Sequence, residues 1–326
     1  MNRATALLLT IGMMVLMVIA TPVRANDLAG PAPQTDPTAK FKKAAAKTQI
    51  PWFYLAAIYQ YESNLQWRKK AAAGETVVEL PAPLWCGSLN PNQQDRFEGT
   101  IRVYGGIGRD GNRDGIADPK KEEDVLYALA TFLRSNGNTE DDIRITLWNH
   151  YHESMIVDRI TSYARIYNHF GTTNLQGNAF PIPKRYNYTY RSTWGDRRGW
   201  GGRRIHEGTD IFAGYGTPVV ATTYGYVELK GWNDYGGWRI GIRDLNNIYH
   251  YYAHLSSYAK GIQLRNIVTP GQVIGYVGSS GYGKPGTSGK FAPHLHYGMY
   301  RDTGTTEFAF DPTPYLRRWE RQSRKK

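Results

Sequence analysis

The sequence predicts a multidomain protein with a mostly α-helical first half and a second half built from β-strands. The chain of 326 residues is 41% hydrophobic, which is enough for two domains with their own cores. Apolar residues recur at spacings of three and four in the first half. In the second half, β-rich segments are separated by glycine turns, which indicates strands.

Residues 1–25 have the pattern of a signal peptide. Arg3 precedes an apolar run over residues 4–20, and small residues occupy the −3 and −1 positions of a cleavage site before Asn26. The alternative is an uncleaved anchor, because the run has about the shortest length that spans a bilayer. We expect an exported protein that works outside the cytoplasmic membrane and is not stably inserted after signal removal. A polar, proline-containing linker is predicted at residues 26–37.

A helical domain is predicted at residues 38–170, followed by a linker at residues 171–193 that is rich in glycine, asparagine and proline. The only cysteine, Cys86, lies in the helical half, which excludes an intrachain disulfide, and we expect a small buried thiol there. Helical spacing of apolar residues is clearest in five segments, which are residues 38–46, 52–65, 122–134, 142–150 and 157–167.

Glu62 lies near the end of the second of these helical segments. The apolar run before Glu62 and Ser63 resembles the catalytic-glutamate helix of lysozyme-like lytic transglycosylases, and residues 128–133 and 148–167 resemble later helices of that fold. The resemblance implies that Glu62 would protonate a glycosidic oxygen from an apolar cleft that raises its pKa. Residues 85–91, however, keep little of that family's substrate-binding pattern. This departure favours a wall-binding or spacing role, with glycan cleavage through Glu62 as the alternative.

A second acidic motif occupies residues 110–118. Oxygen-bearing side chains at loop positions 1, 3, 5 and 9, from Asp110 to Asp118, and a glycine at position 6 follow the calcium-loop pattern. Position 12 is Lys121, where a bidentate glutamate is expected. We therefore expect an Asx-rich turn leading into a helix with an acidic first turn, in preference to a Ca²⁺ site.

The chain is basic, with 40 lysine and arginine residues against 28 aspartate and glutamate residues and a formal net charge of +12. A basic exported protein attracts polyanions at long range, so we expect anionic wall polymers as partners and no nucleic acid. The basic tail predicted at residues 316–326 either adds to this attraction or is a solvated chain end.

Residues 194–315 contain two short motifs that predict a metal site. His206 and Asp210 form an H-x3-D motif, and His294 and His296 form an H-x-H motif. In an extended strand alternate side chains share a face, so His294 and His296 point the same way, about 7 Å apart. Two histidines and a carboxylate are the ligand set of a catalytic zinc with an open position. One histidine of the H-x-H motif can then bind Zn²⁺ while the other lies beside a bound water.

A third motif extends this pattern. His254 lies in an aromatic, strand-like segment with the sequence Y-x-H-L. Together the three motifs resemble those of the LAS-type zinc metallopeptidases of the M23 (lysostaphin-like) family. The match covers about residues 194–311, including glycine-containing segments at residues 216–219 and 271–278. The resemblance implies an antiparallel β-sheet peptidase domain that holds one Zn²⁺ and cleaves peptides of peptidoglycan.

The resemblance also implies a role for each site residue. His206, Asp210 and His296 would hold the Zn²⁺. His294 would act as the general base, and His254 would orient the attacking water or stabilise the oxyanion.

Within the family, the two-part arrangement resembles that of the sporulation-specific L-Ala–D-Glu endopeptidases of endospore formers. This implies a monomeric enzyme of the cell wall or spore cortex. Cleavage of glycine cross-bridges is the alternative for the bond. The alternative class of function is an inactive, wall-binding regulator of other hydrolases, but such domains typically lose metal ligands that this chain keeps.

Overall fold

The computed structural model describes residues 36–66, 74–76, 78–200, 202–304 and 306–323. The predicted signal peptide lies outside these residues, as do all but the end of the first predicted linker and the last three residues of the predicted tail. The chain from Pro37 onward forms one compact unit. In the part that the structure describes, no helix has the length and apolar character needed to cross a membrane.

The first half is helical, as predicted, and each of the five predicted segments is a helix. Two short helices, α3 and α4, were not predicted, because five or six residues are too few to display a helical period. The helices of this half are α1 (Ala39–Thr48), α2 (Trp52–Leu65), α3 (Ala82–Cys86), α4 (Glu98–Val103), α5 (Glu122–Leu133), α6 (Glu140–Tyr151) and α7 (Ser154–Phe170).

Local signals in the sequence fix where the long helices begin and end. Thr139 and Asp142 form a capping box at the start of α6, in which each side chain accepts a hydrogen bond from the backbone N–H of the other residue. At the end of α7, Gly171 takes the left-handed conformation, with φ 68°, that a glycine accommodates without strain. Cys86 is a buried free thiol, as expected.

The described residues of the second half contain twelve strands, and every pairing found between them is antiparallel, which confirms the predicted sheet. Ten strands form one sheet whose main order is β1-β4-β11-β8-β7-β6-β9. The strands are β1 (Tyr188–Tyr190), β2 (Arg197–Arg198), β3 (Arg204–Ile205), β4 (Thr209–Ala213), β5 (Pro218–Val220), β6 (Gly225–Asn233), β7 (Gly237–Asp244), β8 (Ile248–Tyr258), β9 (Ile267–Val268), β10 (Val273–Val277), β11 (His294–Asp302) and β12 (Glu307–Phe310).

One face of the sheet is covered by a C-terminal helix, α8 (Thr313–Ser323). Leu316 and Trp319 of this helix are buried among core residues of β8 and β11 such as Tyr252 and Tyr297. The segment predicted as a basic tail is therefore a packed helix as far as Ser323, because its two apolar residues lie three positions apart on one helix face.

Part of the second predicted linker also belongs to the sheet. β1 pairs with β4, and Phe180 and Ile182 are buried in the same core as the strands. These aromatic and aliphatic residues stand between prolines and glycines. The high content of proline and glycine led to the prediction of a linker in this segment. The exact division of the chain into domains stays a prediction.

The acidic motif at residues 110–118 forms a turn in which carboxylates accept backbone hydrogen bonds. The Asp110 carboxylate accepts from three N–H groups that follow it, and the Asp124 carboxylate of α5 accepts from three more. This arrangement fits the Asx-rich turn that we expected. The expectation that the loop does not bind Ca²⁺ stays a prediction.

The helices contact the sheet at the turns that end β7 and β11. Arg159 of α7 forms a buried ion pair with Asp302, the last residue of β11. Asn247 donates from Nδ2 to the Asp302 carbonyl oxygen at 3.1 Å, and Asn64 of α2 donates to the Leu245 carbonyl oxygen at 2.9 Å. Polar side chains therefore connect the helices to the end of the sheet where β11 finishes.

Asp302→Ala is expected to lower the free energy of unfolding by about 3–5 kcal/mol, because it leaves the Arg159 guanidinium buried without its counter-charge. Chemical denaturation measures this effect. Lys43→Ala is the control, since it breaks the exposed Lys43–Glu123 pair and is expected to cost at most about 1 kcal/mol. Equal losses in the two variants would contradict a supporting role for the buried pair.

Candidate active site

The register between β4 and β11 brings two of the predicted metal ligands together. His296 lies directly opposite Asp210, and His294 lies opposite Phe212. Because strand side chains alternate between faces, Asp210, His294 and His296 share one face of the sheet. His206 comes from the loop between β3 and β4, and its backbone N–H donates to the Asp196 carbonyl oxygen at 2.8 Å.

Three side-chain atoms form the centre of the site. His206 Nε2 lies 2.8 Å from His296 Nδ1 and 3.1 Å from Asp210 Oδ1, and the last two atoms are 3.2 Å apart. Two ligand atoms of a tetrahedral zinc with bonds near 2.0–2.1 Å are separated by about 3.3 Å. The two nitrogens and one carboxylate oxygen therefore fit a Zn²⁺ ion in type and in spacing.

Neighbouring groups fix the orientation of these three side chains. The His206 Nδ1–H group donates to the Thr193 carbonyl oxygen at 2.7 Å, which leaves Nε2 without a proton and directed at the cluster. Arg198 donates from Nη2 to Asp210 Oδ2 at 2.6 Å, so that Oδ1 is the oxygen left for the cluster. Burial alone would raise the pKa of Asp210, but the neighbouring imidazole groups of His206, His296 and His294 hold this pKa far below its usual range.

Gly208, between His206 and Asp210, leaves room for the His296 ring. A Cβ atom at this position would lie 2.6 Å from His296 Cε1 and 2.7 Å from the Tyr297 carbonyl oxygen. No side chain fits such a space. The glycine inside the H-x3-D motif is therefore required by the close packing of the loop on β11.

The other two predicted residues lie beside the cluster. His294 Nε2 is 3.7 Å from Asp210 Oδ1, and the rings of His294 and His254 are 4.8 Å apart between centroids. The two rings are held alike, since each donates its Nδ1–H to a backbone carbonyl oxygen at 2.8 Å, His294 to Ala292 and His254 to Ser280. Each Nε2 atom is therefore left as a hydrogen-bond acceptor.

The position of His254 depends on a bulge in β8. Four residues of β8, from Tyr252 to Leu255, face three of β7, from Trp238 to Ile240, and His254 takes the left-handed conformation with φ 62°. Burial, followed by the charges of His294 and His296, holds the pKa of His254 well below its usual value. Burial also lowers the pKa of His294. Both side chains are neutral at neutral pH.

The cluster lies in the floor of a groove of about 700 Å³. The tyrosines along its walls come from different strands and turns, and the sequence did not reveal which aromatic residues would contribute. Three arginines, Arg198, Arg204 and Arg239, were also missed, although a pair of arginines at residues 197–198 preceded the H-x3-D motif. The wall tyrosines are Tyr235, Tyr249, Tyr251, Tyr282 and Tyr300.

The four histidines that matched no motif lie away from this groove. His250 is buried on the opposite face of the sheet, where Nδ1 lies 2.7 Å from the Tyr297 hydroxyl and Nε2 lies 3.2 Å from Asp244 Oδ2. The remaining three, His150, His152 and His169, belong to the helical half.

Comparisons with known proteins agree with this geometry. Residues 204–308 match the sequence model of peptidase family M23. The chain is 56% identical over 284 residues to the L-Ala–D-Glu endopeptidase of Bacillus subtilis (strain 168), and the alignment covers 86% of this chain and 87% of that protein. It is 36% identical over 115 residues to lysostaphin of Staphylococcus simulans, which is 35% of this chain and 22% of lysostaphin.

Among solved structures, the catalytic domain of lysostaphin from Staphylococcus simulans is similar with a TM-score of 0.32 and 33% sequence identity, over 40% of this chain and 92% of that domain. The relative from Bacillus subtilis matches along most of both chains, and the family match contains all three residues of the central cluster. On these grounds, the chain belongs to peptidase family M23.

Proposed function

We propose that the chain is a zinc-dependent endopeptidase of peptidoglycan that hydrolyses the L-Ala–D-Glu bond of the stem peptide. The observation that carries this proposal is the cluster of His206 Nε2, Asp210 Oδ1 and His296 Nδ1, with separations of 2.8–3.2 Å, in the floor of the groove. The extent of similarity to the Bacillus subtilis enzyme supports the choice of bond. Glycine cross-bridges are less well supported, because the similarity to the glycyl-glycine endopeptidase ALE-1 of Staphylococcus capitis covers only 29% of that protein.

In this proposal, His206, Asp210 and His296 hold one Zn²⁺ per chain. When bound, zinc polarises the scissile carbonyl and lowers the pKa of water from about 15.7 towards 7. His294 accepts a proton from the attacking water at Nε2, since its Nδ1–H is already donated to Ala292. It then delivers this proton to the leaving amine nitrogen as the C–N bond breaks.

His254 is assigned a positioning role. Its Nδ1–H group is donated to the Ser280 carbonyl oxygen, and its lowered pKa keeps Nε2 unprotonated. A neutral imidazole in this tautomer accepts a hydrogen bond from water but has no second proton to donate to an oxyanion. Of the two roles that the sequence left open, orientation of the attacking water therefore fits the structure better.

We further propose that the enzyme is exported, works as a monomer in the cell wall or spore cortex, and is attracted to anionic wall polymers by its net positive charge, which is +12 for the full sequence with its signal peptide. A regulator that has lost its catalytic centre is less well supported, because all three donor atoms are present and correctly spaced.

For the helical half, we propose a wall-binding or spacing role, with a lysozyme-like fold as the remaining hypothesis. Glu62 is mostly buried, and its carboxylate accepts a hydrogen bond from the Tyr151 hydroxyl. Burial raises the pKa of Glu62, although the bond from Tyr151 acts in the opposite direction. An acid held by a neighbouring tyrosine has a structural explanation that requires no glycan substrate.

His296→Ala is expected to abolish both zinc binding and amide hydrolysis, because a three-ligand site that loses one nitrogen binds metal much more weakly. His294→Ala is expected to keep the zinc and to lose about 10²–10⁴-fold in kcat. Elemental analysis measures the metal, and mass spectrometry of muropeptides identifies the bond that is cut. Equal loss of zinc in both variants would show that ligand and base have been interchanged.

Gly208→Ala is expected to lower zinc affinity by about 10- to 100-fold, since the added Cβ displaces the His296 ring. Metal titration with a competing chelator measures the change. Gly214→Ala is the matched control on the same segment, because its Cβ would meet only Thr217 Oγ1, at 3.6 Å. If Gly208→Ala bound zinc as tightly as Gly214→Ala, the close packing would have no role in metal binding.

Glu62→Gln is expected to leave amide hydrolysis unchanged and to alter the pH dependence of stability. A raised folded-state pKa means that Glu62 contributes most to stability at low pH and that this contribution is lost as pH rises above about 4.5, its ordinary value. Because glutamine stays neutral, Tm of the variant should exceed that of the wild type increasingly as pH rises. Glu123→Gln, at an exposed position, is the control. Loss of amide hydrolysis in Glu62→Gln would overturn the assignment of the chemistry to the zinc site.

A further inference from the structure

The groove contains two kinds of arginine, which differ in whether an acidic side chain neutralises them. Arg198 is paired with Asp210 at 2.6 Å. Within the described parts of the chain, no carboxylate forms an ion pair with Arg204 or Arg239, although both side chains line the groove. The wall formed by these two arginines therefore carries an uncompensated positive charge.

Arg239 lies near the metal cluster, beside Tyr251. Burial raises the pKa of the Tyr251 hydroxyl, and the neighbouring Arg239 side chain acts in the opposite direction; the Tyr251 ring centroid lies 5.7 Å from that of His296. The hydroxyl also packs against Gly236, where a Cβ atom would lie 2.1 Å from it. Arg239 and His296 therefore line the same groove, with the Tyr251 side chain close to both.

The two guanidinium groups are also incompletely hydrogen-bonded. The Nε atoms of Arg204 and Arg239 are buried and have no hydrogen-bond partner among the described residues. The Arg204 guanidinium instead stacks over the Tyr235 ring, at 4.9 Å from its centroid. A partly buried guanidinium without a carboxylate is costly, so this arrangement favours binding of an anion from outside the chain.

The acidic residues of the groove do not supply that anion. Glu307 pairs with Arg243 at 2.7 Å, and Glu207 lies close enough to Tyr300 to raise the pKa of its phenol. The planar guanidinium is suited to a carboxylate, which it binds through two parallel N–H···O bonds. A ligand with a carboxylate is therefore complementary to this wall of the groove.

We infer that Arg239, assisted by Arg204, recognises a free carboxylate of the substrate beside the scissile amide. This inference rests on the proposed function and specifies its substrate class further. A glutamyl residue has two carboxyl groups, and in a linear peptide only one of them forms an amide bond to the next residue. An L-Ala–D-Glu substrate consequently keeps one negative charge within a few bonds of the amide that is cut.

The test compares two synthetic stem peptides that differ only at this group, one with the free carboxylate of the D-glutamyl residue and one with a carboxamide in its place. The full-length, zinc-loaded enzyme is expected to show a kcat/KM about 10- to 100-fold higher for the carboxylate peptide, which corresponds to one charge-assisted hydrogen-bonded contact. In Arg239→Gln this ratio is expected to fall close to one, and Arg204→Gln is expected to lower it in the same direction.

Arg203→Gln is the matched control, because Arg203 is exposed, lies next to Arg204 and does not line the groove. It is expected to keep the wild-type ratio. Zinc content and Tm identify any variant that has lost its fold. If Arg239→Gln has lost its fold, Arg239→Lys, which retains the charge, replaces it. Equal kcat/KM for both peptides in the wild type, or an unchanged ratio in Arg239→Gln, would overturn the inference. Failure to cleave either peptide would instead contradict the proposed bond specificity.

Discussion

The active site depends on the hydrogen-bonded register between β4 and β11. Because His296 lies opposite Asp210, the two side chains meet on one face of the sheet, and a slip of one residue would turn one of them into the core. His206 joins them only because the preceding loop folds closely over β11, with Gly208 against the His296 ring. Backbone carbonyl groups then fix the histidine tautomers, so the site is organised by the main chain as much as by its side chains.

The same strand links the groove to the helical half. β11 begins at His294 and ends eight residues later at Asp302, a distance of about 26 Å in an extended strand. Its first residues form the site, whereas its last residue is bound by Arg159 of α7 and by Asn247. The helices therefore support the far end of the strand that carries His294 and His296, and the two halves share one compact unit.

Features that depend on short-range sequence patterns could be predicted, whereas those that depend on distant contacts could not. Strong apolar periodicity located α2 and α5 within one residue, and the five residues predicted from the histidine motifs lie close together in the fold, while their roles stay predictions. Arg198 was missed because its contact with Asp210 is made across a turn and leaves no periodic signal. The position of His254 could not be anticipated either, since it depends on a bulge with φ 62°. Similarly, most of α8 was predicted as a basic tail because of its many basic residues, although two of its apolar side chains, Leu316 and Trp319, are buried.

The positive charge of the chain has two physical effects, which act over different distances. Exposed lysines and arginines contribute to a long-range field that attracts polyanions, and salt near 0.15 M screens this field beyond about 8 Å. By contrast, Arg198 in the groove is neutralised by Asp210, and the buried Arg243 is neutralised by two glutamates, so both orient protein side chains instead of attracting ligands. A cation that has no carboxylate partner among the described residues, such as Arg239, can exchange water for a substrate carboxylate at short range. Selectivity for an acidic stem peptide therefore depends on which arginines the chain leaves unneutralised, and not on the net charge.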